Sequence, residues 1–169
     1  MISRAAAAVT LAALTLLPGG LAAGSAHAGS AGEHTNLMGD QPVSAHDFHA
    51  MRPALDDVLV FCGLHGYEMD LSRVTAVEGL AQDECGTILK VTNPLKPSAP
   101  QYVMAVDQGG HGLDLNTVTF QELFGTQGGL ERATWEPADP SYGKGIVPTE
   151  LEEKLPGFRK WTCDTSGCR

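Results

Sequence analysis

The stretch CGTILKVTNPLKPSAPQYVMAVDQGGHGLDLNTVTFQELFG, residues 85–125, alternates short apolar runs with turn residues and ends in a strongly signalled helix. GTILKVTN (86–93) and QYVMAVD (101–107) are rich in β-branched and apolar residues and bounded by Gly, Asn or Pro, which predicts two strands. Asn116 is a good N-cap, Gly125 fits the position just past the helix, and Leu115 is placed to pack on Phe120 as a hydrophobic staple. Val118, Phe120, Leu123 and Phe124 offer the apolar face. Asp114 stands between Leu113 and Leu115, immediately before the helix, and is open to three roles: acid, binding group, or part of a helix start.

Working outward, VLVFCG (58–63) and RVTAVEG (73–79) are further short runs flanked by turn residues, and LERATWEPAD (130–139) supplies a last strand with Trp135 inside it. Thr149-Glu150-Leu151-Glu152 reads as a second capping box, opening a short helix that ends near Lys154 before Pro156. Several short strands with one helix among them predict a small barrel rather than a parallel α/β sheet. No internal repeat is visible.

The chain opens MISRAAAAVTLAALTLLPGGLAAGSAHA: one positive charge, an apolar run from Ala5 to Leu17, a Pro-Gly-Gly break and an Ala-His-Ala cleavage site. Residues 1–28 therefore read as a secretory signal peptide, too short and Ala-rich in its apolar run to span a membrane. Removal at Gly29 leaves 141 of 169 residues, enough for one modest core. Residues 29–53 are rich in Gly, Ser, Ala and His without clear periodicity and are expected to be a flexible leader. The barrel domain is expected over 54–140, and residues 141–169 as a tail with a short helix and a disulfide-closed turn.

Arg4 is the only charged residue of the signal, so the mature chain carries 10 basic and 20 acidic residues, a net charge of −10. Such a chain is a poor partner for nucleic acid, anionic lipid or anionic wall polymers. Four cysteines in an exported chain point to two disulfides among three possible pairings, and spacing favours Cys62–Cys85 and Cys163–Cys168. Without a CxxC pair, zinc is the weaker reading. His46 and His49 in HDFH lie three apart, but no carboxylate or cysteine cluster joins them, so they read as solvated leader residues rather than metal ligands. No metal and no cofactor are expected.

The ordered set Cys85-Gly86, Leu89-Lys90-Val91-Thr92-Asn93, Val103-Met104-Ala105-Val106-Asp107, Leu113-Asp114-Leu115-Asn116, Phe120, Leu123 and Thr134-Trp135 resembles the double-psi β-barrel of expansin-like, barwin-like and rare lipoprotein A-like proteins. The resemblance spans about residues 57–137. It implies a mainly β fold, a six-stranded, disulfide-braced barrel with one or two short helices, with VLVFCG as its first strand. Two features depart from the pattern. Gln108-Gly109-Gly110 stands where many relatives carry a cysteine pair, and the first strand lacks the usual aromatic pair.

By this resemblance Asp114 lies in the groove and is the candidate catalytic acid, a role that would need an apolar, partly buried setting. Hydrolysis with inversion also needs a second carboxylate across the groove, which in the related cellulases follows the first strand; the acids nearest that place, Glu68 and Asp70, sit in no matching motif. A transglycosylase needs only the one acid. The plainer account of Asp114 is a group serving the helix start or binding polysaccharide, and it is the one we adopt. Asp107, His111 and Tyr67 are candidate substrate-binding residues, with Tyr67 offering a stacking face to sugar. The competing readings are a turn-starting aspartate for Asp107 and solvated loop histidines for His111 and His65. Trp135 is read as core, and Trp161 as an exposed or tail-clamping residue.

Only 32 residues follow the matched region, too few for the second β domain of expansins. Three functions follow in order. The first is a secreted, non-hydrolytic expansin-like protein binding or loosening cell-wall polysaccharide. The second is a secreted inhibitor of papain-like cysteine or serine proteases, presenting a loop stiffened by Cys62–Cys85. The third is a lytic transglycosylase on peptidoglycan. A bacterial, extracellular monomer is expected in each case.

Overall fold

The computed structural model describes residues 35–159. Six strands close a barrel: β1 (Gly39–His46), β2 (Val74–Glu78), β3 (Ile88–Thr92), β4 (Gln101–Gly109), β5 (Leu113–Asn116) and β6 (Leu130–Pro137), in the spatial order β1-β5-β2-β4-β3-β6. β1/β5 and β2/β4 are parallel and the other four pairs antiparallel. This is the expected mainly β, double-psi barrel. Short α-helices accompany it: α1 (Arg52–Asp57), α2 (Thr117–Phe124) and α3 (Thr149–Glu152), and residues 156–159 are helical as well.

Alternation fills the barrel. Leu89, Val91, Val103, Leu113 and Leu115 are fully buried, while the residues between them on β3 and β5, Lys90 and Asp114, turn outward. Asn116 caps α2 by accepting from the Val118 amide at 2.8 Å, and Gly125 ends it at φ +79°, a left-handed conformation that suits glycine. Thr119, Phe120 and Leu123 bury the helix against the barrel, and the Phe120 and Phe124 rings meet at 4.8 Å. Val118, expected on the apolar face, is instead 42 % exposed.

The first strand is not where the sequence placed it. VLVFCG forms no strand: Val58 and Leu59 are exposed, and Phe61 and Cys62 are tied to β4 through Phe61 N–H to Asp107 Oδ1 at 3.0 Å and Cys62 N–H to the Val106 carbonyl at 3.0 Å. GDQPVSAH, within the expected leader, takes its place between β5 and β6. Its polar sequence hides it, because Val43 is its only fully buried side chain and backbone pairing on both edges supplies the rest. A leader over 29–53 is thus corrected: residues 39–46 are barrel wall.

The boundary at residue 140 also dissolves. Ile146, Val147 and Leu155 are buried in the common core, and the Gly157 amide donates to the Cys85 carbonyl at 2.8 Å. α3 starts one residue earlier in register than the capping-box reading has it, with Pro148 at the N-cap and Thr149 already helical. The Cys62–Cys85 bridge forms across 23 residues, with Cα atoms 5.5 Å apart. Residues 1–28, Cys163, Cys168 and Trp161 lie outside the described residues. Trp135 is core, as read, and donates from Nε1 to the Asn36 carbonyl.

On the β4 side Tyr102 and Tyr142 stack in parallel, centroids 4.0 Å apart. Burial, and then the hydrogen bond with Tyr142, raise the Tyr102 phenol above the ordinary tyrosine value. Its neutral form is the one the fold favours, so this contribution is complete below the ordinary value and lost as pH rises through the raised one. In an ultraviolet pH titration Tyr102 is expected to ionise above the ordinary tyrosine value. Tyr142→Phe is expected to bring it part of the way back, and a Tyr102 that ionises at the ordinary tyrosine value would contradict the upward shift.

Candidate functional site

The register of the barrel wall brings four short side chains into one row. Ser44 of β1 pairs with Asp114 of β5, Asp114 with Ala76 of β2, and Ala76 with Asp107 of β4. A bulge is essential to the last step: Thr75 pairs with Ala105 but Ala76 with Asp107, so one β4 residue is skipped and the aspartate comes into line. Leu113 and Leu115 point inward, which obliges Asp114 to point out of the barrel.

Asp114 is held by a hydroxyl donor and faces an imidazole. Its Oδ1 accepts from Ser44 Oγ at 2.5 Å and lies 3.3 Å from His46 Nε2. Its side chain is 16 % exposed and that of His46 44 %, so the cluster is sheltered at the carboxylate and open at the imidazole. Thr75 Oγ1 donates to the Asp114 carbonyl at 2.9 Å, fixing the backbone as well. Gly109 leaves the space on the other side, where a Cβ would stand 2.9 Å from Asp114 Oδ2. His46 also stacks on Phe48, ring centroids 6.2 Å apart. Beside the row, Phe48, Leu55, Met69, Thr75 and Asp107 line a small apolar recess of about 30 Å³, room for about one water.

The other sequence candidates lie in different settings. Asp107 Oδ1 accepts from the amides of Phe61 and Gln108, so it anchors the 58–63 loop as well as closing the row. His111 is exposed in the turn before β5. Tyr67 is 61 % exposed and stacks on His65 with centroids 5.0 Å apart. Glu68 and Asp70, the acids considered as partners for Asp114, are bonded within their own segments: Glu68 Oε2 accepts from the His65 amide and Asp70 Oδ1 from the Ser72 amide and hydroxyl. Among the described residues no cluster of three or more His, Cys, Asp or Glu side chains is placed to hold a metal ion. No helix there is long and apolar enough to cross a membrane.

Ser44 and His46 are the site residues that sequence reasoning missed. Their segment carries the strand alternation Val43 in, Ser44 out, but only one apolar residue marks it. They also lie 70 and 68 positions from Asp114, so no local motif joins them.

No family model matches the chain, and no curated protein does. Solved structures with a related barrel include cerato-platanin 3 from M. perniciosa, at 17 % identity and TM-score 0.49 over 61 % of this chain and 97 % of that one. The fungal elicitor cerato-platanin follows at 23 % identity and TM-score 0.47, over 59 % and 93 %. The Clavibacter michiganensis expansin is 19 % identical with TM-score 0.46, over 60 % of this chain and 50 % of that one. A point mutant of that expansin was solved in complex with cellohexaose. Likeness at this level carries no functional argument, and the barrel class rests on strand order and register.

Proposed function

We propose that the mature chain is a secreted, non-hydrolytic, expansin-like barrel that binds cell-wall polysaccharide as a monomer, over the outer wall of β1, β5 and β2. The observation that carries this reading is the Ser44–Asp114–His46 cluster, a sheltered carboxylate that accepts from a hydroxyl and faces an imidazole 3.3 Å away. A carboxylate, a hydroxyl and an imidazole at one edge form a natural acceptor and donor set for sugar hydroxyls. Glu68 and Asp70, the acids considered as partners for Asp114, are engaged within their own segments, so the arrangement supports binding more than an acid–base pair for hydrolysis. The N-terminal sequence, read as a signal peptide, supports secretion.

The test is co-sedimentation of the mature protein with insoluble cellulose, chitin and peptidoglycan, with soluble sugars assayed in parallel. Binding without products is expected, and Asp114→Asn should weaken it roughly tenfold, about 1.4 kcal/mol. Released sugar that disappears in Asp114→Asn would replace this reading with the transglycosylase. Failure to bind any of the three polymers would overturn it.

A protease inhibitor is the second reading. What favours it is the pair Val58 and Leu59, 66 % and 53 % exposed, four and three residues before the bridged Cys62. Apolar side chains displayed on a covalently braced loop suit a protease cleft. Inhibition of papain by the mature chain, lost in a Val58→Asp/Leu59→Asp variant, is the outcome that would favour it.

A further inference from the structure

The wall across the barrel from Asp114 carries a different ladder. In the closed order β1-β5-β2-β4-β3-β6, β3 stands three steps from β5 in either direction, so their outward faces look opposite ways. Tyr102 of β4 pairs with Lys90 of β3, and Lys90 with Glu136 of β6, where Nζ and Oε1 lie 3.2 Å apart. Two pairs further along, on the same face, Thr92 faces Thr134. Lys90, Glu136, Thr92 and Thr134 border an open cleft of about 530 Å³, completed by Met38 and Pro97, and Tyr102 stands beside it in the ladder.

Tyr142 extends the ladder at its other end. Its ring lies parallel to that of Tyr102 within 3°, yet half of the residue is exposed, so the stack presents aromatic surface to solvent. The turn that carries it, Pro140–Gly143, is fixed on every side. Asp139 caps the Ser141 amide at 2.8 Å, Arg73 donates to the carbonyls of Tyr142 and Lys144, and Gly143 packs so closely that a Cβ would meet Ile88 at 2.3 Å. A rigid aromatic plate, a neutralised Lys–Glu pair and two threonine hydroxyls in a row match what a neutral sugar chain offers: apolar ring faces and hydroxyls that both donate and accept. The ladder bears one charge of each sign within a chain of net −9, and so offers an anionic polymer no attraction.

We propose that this wall is a second binding surface, specific for neutral polysaccharide, with Tyr142 as its stacking residue and Lys90, Glu136, Thr92 and Thr134 as its polar contacts. One barrel then holds two chain segments on opposite sides and bridges them. The bridging rests on the groove reading of Asp114, whereas the second surface stands independently of it.

The test titrates the ¹⁵N-labelled mature protein with cellohexaose and with chitohexaose, following amides of β3, β4, β6 and residues 139–145 separately from those of β1, β5 and β2. Both sets are expected to shift. Tyr142→Ala should weaken the first set about tenfold and leave the second unchanged, and Asp114→Asn should do the reverse. Lys90→Ala, made in parallel, should give the same loss on the first set and guards against a local rearrangement of the 139–143 turn. Shifts confined to β1, β5 and β2, or a first set unaffected by both Tyr142→Ala and Lys90→Ala, would overturn the second surface while leaving the groove reading intact. Shifts confined to the first set would support the second surface and remove the groove and the bridge.

Discussion

Phe120→Ala is expected to lower the unfolding free energy by about 3–5 kcal/mol, the range for deleting a fully buried aromatic ring. Phe120 is completely buried, and it is the residue through which α2 enters the core. It sits four positions after the capping Asn116, with Leu115, also fully buried, just before the cap. This staple sets the angle at which β5 turns into the helix. The ring also meets Phe124, so a cavity there cannot be filled without moving the next turn. The change should reach the site as well, since β5 carries Asp114 and has only Leu113–Asn116 to hold its register. Urea denaturation of wild type and variant measures the effect. Val118→Ala is the control, expected within about 0.5 kcal/mol because Val118 is exposed rather than packed in the core. A loss below about 2 kcal/mol for Phe120→Ala would mean that α2 is not integral to the core.

That helix shows what the sequence makes legible. Asn116, Leu115, Phe120 and Gly125 each do locally what their chemistry dictates, and β2, β3, β4 and β6 announce themselves by apolar runs between turn residues. The first strand fails this test for a physical reason. β1 draws its stability from backbone pairing with β5 and β6, contacts 70 to 96 residues distant, and needs only Val43 for the interior. VLVFCG fails in the opposite sense, because its apolarity serves a loop clamped on β4 rather than a strand. Asp114 was visible because its flanking leucines fix its direction. Its partners were not, because register alone brings Ser44 and His46 to it, and register is a property of the closed barrel.

Removing the Cys62–Cys85 bridge by the double change Cys62→Ala/Cys85→Ala is expected to cost about 3 kcal/mol, as loop entropy gives for a closure of this length. The bridge is more than a tether between two points. Cys62 belongs to the loop whose Phe61 amide is bonded to Asp107, and Cys85 precedes β3 and accepts from Gly157 of the C-terminal segment. Loop, barrel wall and C-terminal segment therefore meet at one buried covalent link, Cys85 being fully buried and Cys62 nearly so. Alanine at both positions avoids free thiols, and the barrel ladders do not depend on the link, so the fold should survive with a lower denaturation midpoint. Hydrogen exchange should locate the loss. The amides of residues 61 and 62, bonded to Asp107 and Val106, are expected to exchange much faster in the variant, while those of Leu89 and Val103 accelerate only by the change in global stability. Uniform acceleration across all four would show that the bridge stabilises the barrel as a whole and that the loop has no separate opening. Unchanged exchange at Phe61 with a loss below about 1 kcal/mol would show that the Asp107 anchor holds the loop without the disulfide.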